Sequence, residues 1–161
     1  MKDFVETRII GAVRKLLVER GNELLNEMEF YVPVIEFGNI NGGFAVIPVI
    51  TLSSCESTEK ERIILLDAYA LTITFSFPET PEAEMYCYAY AGVVSRAIKE
   101  NPTLSGIVER AVITGKKYVQ PRVPNCGESW EAVLSLRITV DQVVLRVRLG
   151  SGLMAITLLI R

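Results

Sequence analysis

AYALTITFSFPETPEAEMYCYAYAGVVSRAIKENPTLSGIVERAVIT, residues Ala68 to Thr114, decides the fold. Tyr69, Leu71, Ile73, Phe75 and Phe77 alternate with Ala68, Ala70, Thr72, Thr74 and Ser76. Period-2 alternation of aromatic and β-branched residues with small ones predicts a strand with one large apolar face and one small or hydroxylated face. Pro78 lacks a backbone donor and ends that strand. A helix follows. Thr80 suits the N-cap and Pro81 the first helical position, where a missing N–H is harmless. Glu82 and Glu84 sit at the positive end of the helix dipole, and Arg96 and Lys99 near its negative end. Ala83, Tyr86, Cys87, Tyr90, Ala91, Val94, Ala97 and Ile98 recur at helical spacing as one apolar stripe. Asn101-Pro102 stops the helix, because a residue before proline disfavours helical dihedrals. Each large residue of the stripe contributes on the order of 1.5–3 kcal/mol when buried. The aromatic face of the preceding strand is the expected partner. After the turn or short helix at Thr103–Gly106, Val108 to Val119 alternates again, and Gly115-Lys116-Lys117 interrupts it or bulges it.

N-terminal to this stretch, Lys2 to Met28 reads as a long amphipathic helix with Phe4, Val5, Ile9, Val13, Leu16, Leu17, Leu24 and Leu25 inward. Asp3 is the expected N-cap, with Glu6 three residues on. Gly11 and Gly21 weaken the helix by roughly 1 kcal/mol each, and Gly21-Asn22 ends or bends it. Arg8, Arg14, Lys15, Glu19, Arg20 and Glu23 form a solvated face, or else a contact with another subunit. Phe30–Phe37 and Phe44–Leu52 read as a hairpin around Gly38-Asn39-Ile40-Asn41-Gly42-Gly43. Pro33 and Pro48 assign those strands to edges or bulges. Gly42-Gly43 lacks the lysine and the glycine pattern of a phosphate loop. Ser53–Arg62 is polar and charged and reads as a loop, either a solvated connection or a segment that orders against a neighbouring subunit.

C-terminal to it, Pro121–Gly127 is a proline-rich loop. Ala132, Leu134, Leu136, Ile138 and Val140 then point one way, and Val133, Ser135, Arg137 and Thr139 the other. Val143–Leu149 alternates, Gly150-Ser151-Gly152 offers a turn, and Leu153–Ile160 is nearly all apolar. The tail is either a hairpin that completes the fold or a strand that pairs with another chain. The chain therefore reads as one α+β domain over residues 1–161, with 141–161 a C-terminal strand extension. An antiparallel-dominated sheet carries two main helices packed on it, plus a β-hairpin.

The chain has 161 residues, a formal net charge of −2 and 50% hydrophobic residues, which suits one core and gives no global sign of nucleic-acid readout. No stretch is apolar enough to span a bilayer, and the start lacks a signal-peptide core, so the expected site is the cytosol. Histidine is absent, which excludes Ser-His-Asp and Cys-His catalysis and His-based metal sites. Three cysteines, Cys55, Cys87 and Cys126, are widely spaced and suggest neither a disulfide framework nor zinc. No catalytic, cofactor-binding or metal-binding set is expected.

Leu71-Thr72-Ile73-Thr74-Phe75, the helix with Tyr86-Cys87-Tyr88-Ala89-Tyr90, Asn101-Pro102-Thr103-Leu104-Ser105-Gly106-Ile107-Val108 and Leu134-Ser135-Leu136-Arg137-Ile138-Thr139-Val140 carry a resemblance. The segment Leu71–Val140 resembles the tail-terminator and tail-completion (minor tail) proteins of long-tailed bacteriophages, of the lambdoid type. The opening helix with Glu6, Arg8 and Ile9 is compatible with it. Residues beyond Asp141 depart from the pattern.

The resemblance implies a non-enzymatic subunit that forms a homohexameric ring, caps the tail-tube protein and docks to the head–tail connector. It also implies a place in the virion tail, and in the host cytoplasm during assembly. Glu56, Glu59, Lys60, Arg62, Arg146 and Arg148 are the expected subunit-interface residues. Two alternatives stand beside this reading. One is a small-molecule-binding or enzymatic α+β domain with Tyr86, Tyr88, Tyr90, Glu82 and Glu84 in a pocket. The other is a different head–tail connector (neck) subunit.

Overall fold

The structure is a computed structural model, and it describes residues 4–29, 31–38, 45–61, 64–124, 127–149 and 152–159. Helix α1 (Val5–Leu16) runs through a π-helical turn (Leu17–Gly21) into α2 (Asn22–Asn26) without a break. Two short strands follow, β1 (Val34–Ile35) and β2 (Ala45–Val46). The main elements are β3 (Val49–Glu61), β4 (Ile64–Pro78), α3 (Ala83–Glu100), β5 (Arg110–Val119), β6 (Ser129–Leu149) and β7 (Gly152–Leu159). The fold is α+β, and its sheet is antiparallel in every pairing, in the order β3-β4-β6-β5 with β7 added to β6.

The two clean alternations of the sequence form the sheet's inner face. Leu71, Ile73 and Phe75 on β4 and Ala132, Leu134, Leu136 and Ile138 on β6 are all buried. They meet Ile9, Val13 and Leu17 of the first rod and Cys87, Tyr90, Val94 and Ile98 of α3 in one core. Tyr90 is the largest fully buried side chain among the described residues, with its ring 5.2 Å from both Phe75 and Phe77 and its hydroxyl donating to the Pro33 carbonyl. Offset aromatic packing of this kind adds to the area it buries.

The first rod does not end at Gly21-Asn22. Gly21 is buried, and a Cβ there would lie 3.5 Å from Ile35 Cδ1. A Cβ at that distance would make only ordinary van der Waals contact, so space alone does not require glycine there, and the π turn carries the rod through this point. Asn22 then acts as a strand neighbour. Its amide nitrogen donates to the Ile35 carbonyl at 2.9 Å, and its Oδ1 accepts from the Ile35 N–H at 2.7 Å. Asn22→Ala leaves two backbone groups of a buried residue without those partners. The expected loss is on the order of 2–4 kcal/mol in urea unfolding. A loss within measurement error would show that the clamp contributes nothing.

Several expectations are corrected. Helix α3 starts at Ala83, with Glu82 at the N-cap and the Thr80 carbonyl accepting from the Ala83 N–H at 3.2 Å. Pro81 therefore sits in the turn before the helix. The first rod has Phe4 at its N-cap; Asp3 lies outside the described residues. Among the described residues no hairpin joins Phe30–Phe37 to Phe44–Leu52. Val34 and Ile35 pair in parallel with Ala45 and Val46, and Val49 to Leu52 belong to β3. Pro48, which cannot donate to a ladder, separates β2 from β3. Phe30 and residues 39–44 lie outside the described residues.

The largest correction concerns the run Ser53–Arg62. It is strand, not loop, as far as Glu61: Ser54 pairs with Ala70 and Glu61 with Ile64. Residues 53–59 are exposed on both faces of this ribbon, so the pairing is backbone only and the side chains stay polar. Bulges interrupt the β3–β4 ladder between Leu52 and Ser54 and between Glu59 and Glu61. The expected irregularity near Gly115 is present as a register shift between Ile113 and Gly115. At the C-terminus the hairpin arrangement holds: Gln142 pairs with Leu159 and Leu149 with Gly152 within the chain. Gly150 and Ser151 lie outside the described residues.

Candidate functional site

Both helical layers lie against the face that carries Leu71 and Leu136. The other face has no helix over it among the described residues. Residues paired across a ladder share a face, so this open face can be read row by row. It carries Thr51, Ser54, Thr72, Thr74, Ser135 and Thr139. These are short hydroxylated side chains, half-buried or exposed. Among them stand Glu56 and Glu131 on one side of the charge balance and Arg110, Lys117 and Arg137 on the other. The same rows also place Val49, Val112 and Val133 on this face, Val49 and Val112 exposed, so it mixes small hydroxylated, charged and apolar groups.

Strands β3, β5 and β7 each pair on one side only among the described residues, and β3 and β5 are the two ends of the four-strand path. An unpaired edge is a template for another strand. The two edges differ in charge. Strand β3 carries Glu56, Glu59 and Glu61 against Lys60, whereas β5 carries Arg110, Lys116 and Lys117 and no acid.

Of the expected interface residues, Glu56 and Glu59 are exposed on β3. Lys60 lies on the same strand, and Arg62 lies outside the described residues. Arg146 and Arg148 are on β6, beyond its last pairing with β4 at Val143, and face Ala155 and Leu153 of β7 in register. The six therefore fall into two groups, an edge strand and the distal hairpin. Sequence reasoning found the strand that becomes β5 but did not place its basic residues at the edge of the sheet. Lys116 and Lys117 were the available signal, but their place on an edge follows only from the strand order.

The tyrosines of α3 do not converge. Tyr86 lies 5.6 Å from Phe77 and 6.4 Å from Tyr90 on the core side. Tyr88 points outward, donates to Glu84 at 2.9 Å and stacks edge-on against Tyr118 of β5 at 5.0 Å. That Glu84 bond also raises the Tyr88 pKa. Glu82 and Glu84 are exposed. Cys87 is fully buried; burial first, and then Glu131 and Glu84, push its thiol up to about 11. Cys55 is exposed on β3, and its thiol is also raised, by desolvation and by Asp67. Neither thiol has the depressed pKa of a reactive nucleophile. Cys126 lies outside the described residues. No group of three or more acidic, cysteine or histidine side chains that could hold a metal occurs among the described residues.

On the outer side of the helices, Arg20 pairs with Glu100 and Glu23, each at 2.9 Å, and Arg96 also reaches Glu100 at 2.9 Å. These contacts hold the Glu100 carboxyl below its ordinary range and raise the Arg20 guanidinium. They tie the end of α3 to the first rod at the surface, where such pairs contribute little to stability.

No protein-family model matches this chain, and no curated protein matches it in sequence. No helix among the described residues is long and apolar enough to cross a membrane.

Proposed function

We propose that this chain is a structural assembly protein of a phage or prophage tail. In this reading, copies form a ring that ends tail-tube growth and joins the tail to the head. The carrying observation is the one-sided sheet. Its helices cover one face, its other face mixes hydroxylated side chains, valines and charges of both signs, and its outer strands β3 and β5 carry no further ladder partner among the described residues. An open face of that chemistry suits the wall of a channel that must let a polyanion pass without holding it, since tight phosphate binding needs clustered cations. The resemblance of Leu71–Val140 to tail-terminator proteins points the same way. The reading asks for assembly and for no reaction, and partners are other copies of the chain, the tail-tube protein and the head–tail connector.

The test is light scattering after size-exclusion chromatography, with electron micrographs of the protein alone and mixed with tail tubes. A ring, expected to be a hexamer, and its deposition on tube ends support the reading. A strict monomer at high concentration, with bare tube ends, overturns it. A ring that binds the connector and ignores the tube would instead assign the chain to the neck.

A further inference from the structure

We infer that the acidic edge strand β3 of one copy adds to the basic edge strand β5 of the next, so that the antiparallel sheet continues from subunit to subunit. This deepens the ring reading and rests on it for closure.

Strand direction comes first. Each neighbour along the path β3-β4-β6-β5 is antiparallel to the last, so β3 and β5 run in opposite directions. Copies related by rotation about an axis along the strands keep those directions. The β3 of one copy then meets the β5 of its neighbour antiparallel, the pairing with the better hydrogen-bond geometry. An odd number of strands on this path would have produced a parallel seam.

Charge selects the same pairing. Two β3 edges would bring Glu56 and Glu59 against their own copies, and two β5 edges would bring together Arg110, Lys116 and Lys117. Only the mixed pairing joins opposite signs. One row of the sheet also joins opposite charges: Glu56 pairs with Ala68, Ala68 with Thr139, and Thr139 with Arg110, whereas the rows of Lys116 and Lys117 lead to Ile50 and Val49 and the row of Glu59 leads to Leu159 of β7. Glu56 and Arg110 therefore stand at the same height on the same face, and lateral addition without axial shift sets one against the other. On the helix side of β5 lies a cleft of about 330 Å³. Ile98 and Lys99 of α3 and Ala111, Arg110 and Lys116 of β5 are among its lining residues, so it reaches the edge of the strand. Among the described residues, Lys99 is the one positive charge it adds there to those of β5 itself. A head-to-tail contact of this kind closes into a ring when the rotation between copies divides the circle.

Lysines on an edge strand also have a simpler use, which is to keep sheets apart. Charge reversal separates the two uses. Glu56→Lys with Glu59→Lys reverses one edge, and Arg110→Glu with Lys117→Glu reverses the other. Each double variant alone places like charges at every seam, and its association is expected to weaken roughly 100-fold or more. Mixed in equal amounts, the two variants have complementary edges at every seam only if they alternate. The mixture is expected to regain rings with an even number of subunits, containing both variants equally, by native mass spectrometry. All four residues are exposed, so the monomers should keep their fold by circular dichroism. If a reversed variant fails to fold, the glutamine versions at the same positions are read for weakened association instead.

Wild-type rings together with reversed variants that assemble as well as wild type overturn the edge pairing and leave the ring reading standing. A wild type that stays monomeric overturns both.

Discussion

Tyr90→Ala is expected to destabilise the protein by about 3–5 kcal/mol, the range for removing a fully buried aromatic ring. The ring sits at the junction of three layers. It packs 5.2 Å from Phe75 and from Phe77 of β4, and 6.4 Å from Tyr86. Its hydroxyl holds the Pro33 carbonyl, just before β1. The alanine variant thus opens a cavity where sheet, helix and the first short strand meet. Tyr90→Phe keeps the packing and removes one hydrogen bond, so its loss should be nearer 1 kcal/mol. Urea unfolding of the two variants checks the difference. Equal losses would mean that the hydroxyl, and not the ring, carries the contribution. A loss below about 1 kcal/mol for alanine would remove Tyr90 from its central place in the core.

Stability is expected to fall steeply with alkali, beginning near pH 9. Cys87 is buried among apolar side chains, and its thiol is raised to about 11 in the folded protein. Unfolding returns it to the ordinary thiol range, so the folded state binds the proton more tightly. The contribution is fully present below the ordinary thiol pKa and is lost as pH rises through about 11. A rise from the ordinary thiol value of 9.0 to about 11 corresponds to at most about 2–3 kcal/mol. Tyr90 and Tyr69 add to the same trend. Burial is the first cause in each, helped at Tyr90 by Tyr86 and at Tyr69 by Cys55 and Glu6. Unfolding free energies measured at pH 8 and pH 10.5 should differ by this order. In Cys87→Ala, which cannot ionise, the slope should be shallower. An unchanged slope in that variant would show that the thiol titrates in the folded protein as it does in the unfolded chain.

The legible part of this molecule was its inner face. Leu71, Ile73 and Phe75, and then Ala132 through Ile138, alternate because a strand with one buried face must place an apolar residue at every second position. The stripe on α3 and the apolar positions of the first rod follow the same rule at helical spacing. Those patterns determine two helices and a sheet that they cover, and the sequence carried them without help. Polar ribbon left no such record. Residues 53–59 form strand through backbone hydrogen bonds that any residue but proline can make, and with both faces exposed there is no alternation to read. The Pro48 break was visible, but neither the parallel pairing of Val34 and Ile35 with Ala45 and Val46 nor the Asn22 side chain that holds the Ile35 backbone has a local pattern to announce it.

The candidate surface divides in the same way. Glu56 and Glu59 stood out as charges in a polar run. Their opposition to Arg110, Lys116 and Lys117 did not, because it requires the strand order β3-β4-β6-β5. Local pattern determined which residues turn inward, since burial acts on each side chain separately. Only the tertiary structure decided which strands lie at the edges, because strand order is a property of pairings between distant segments.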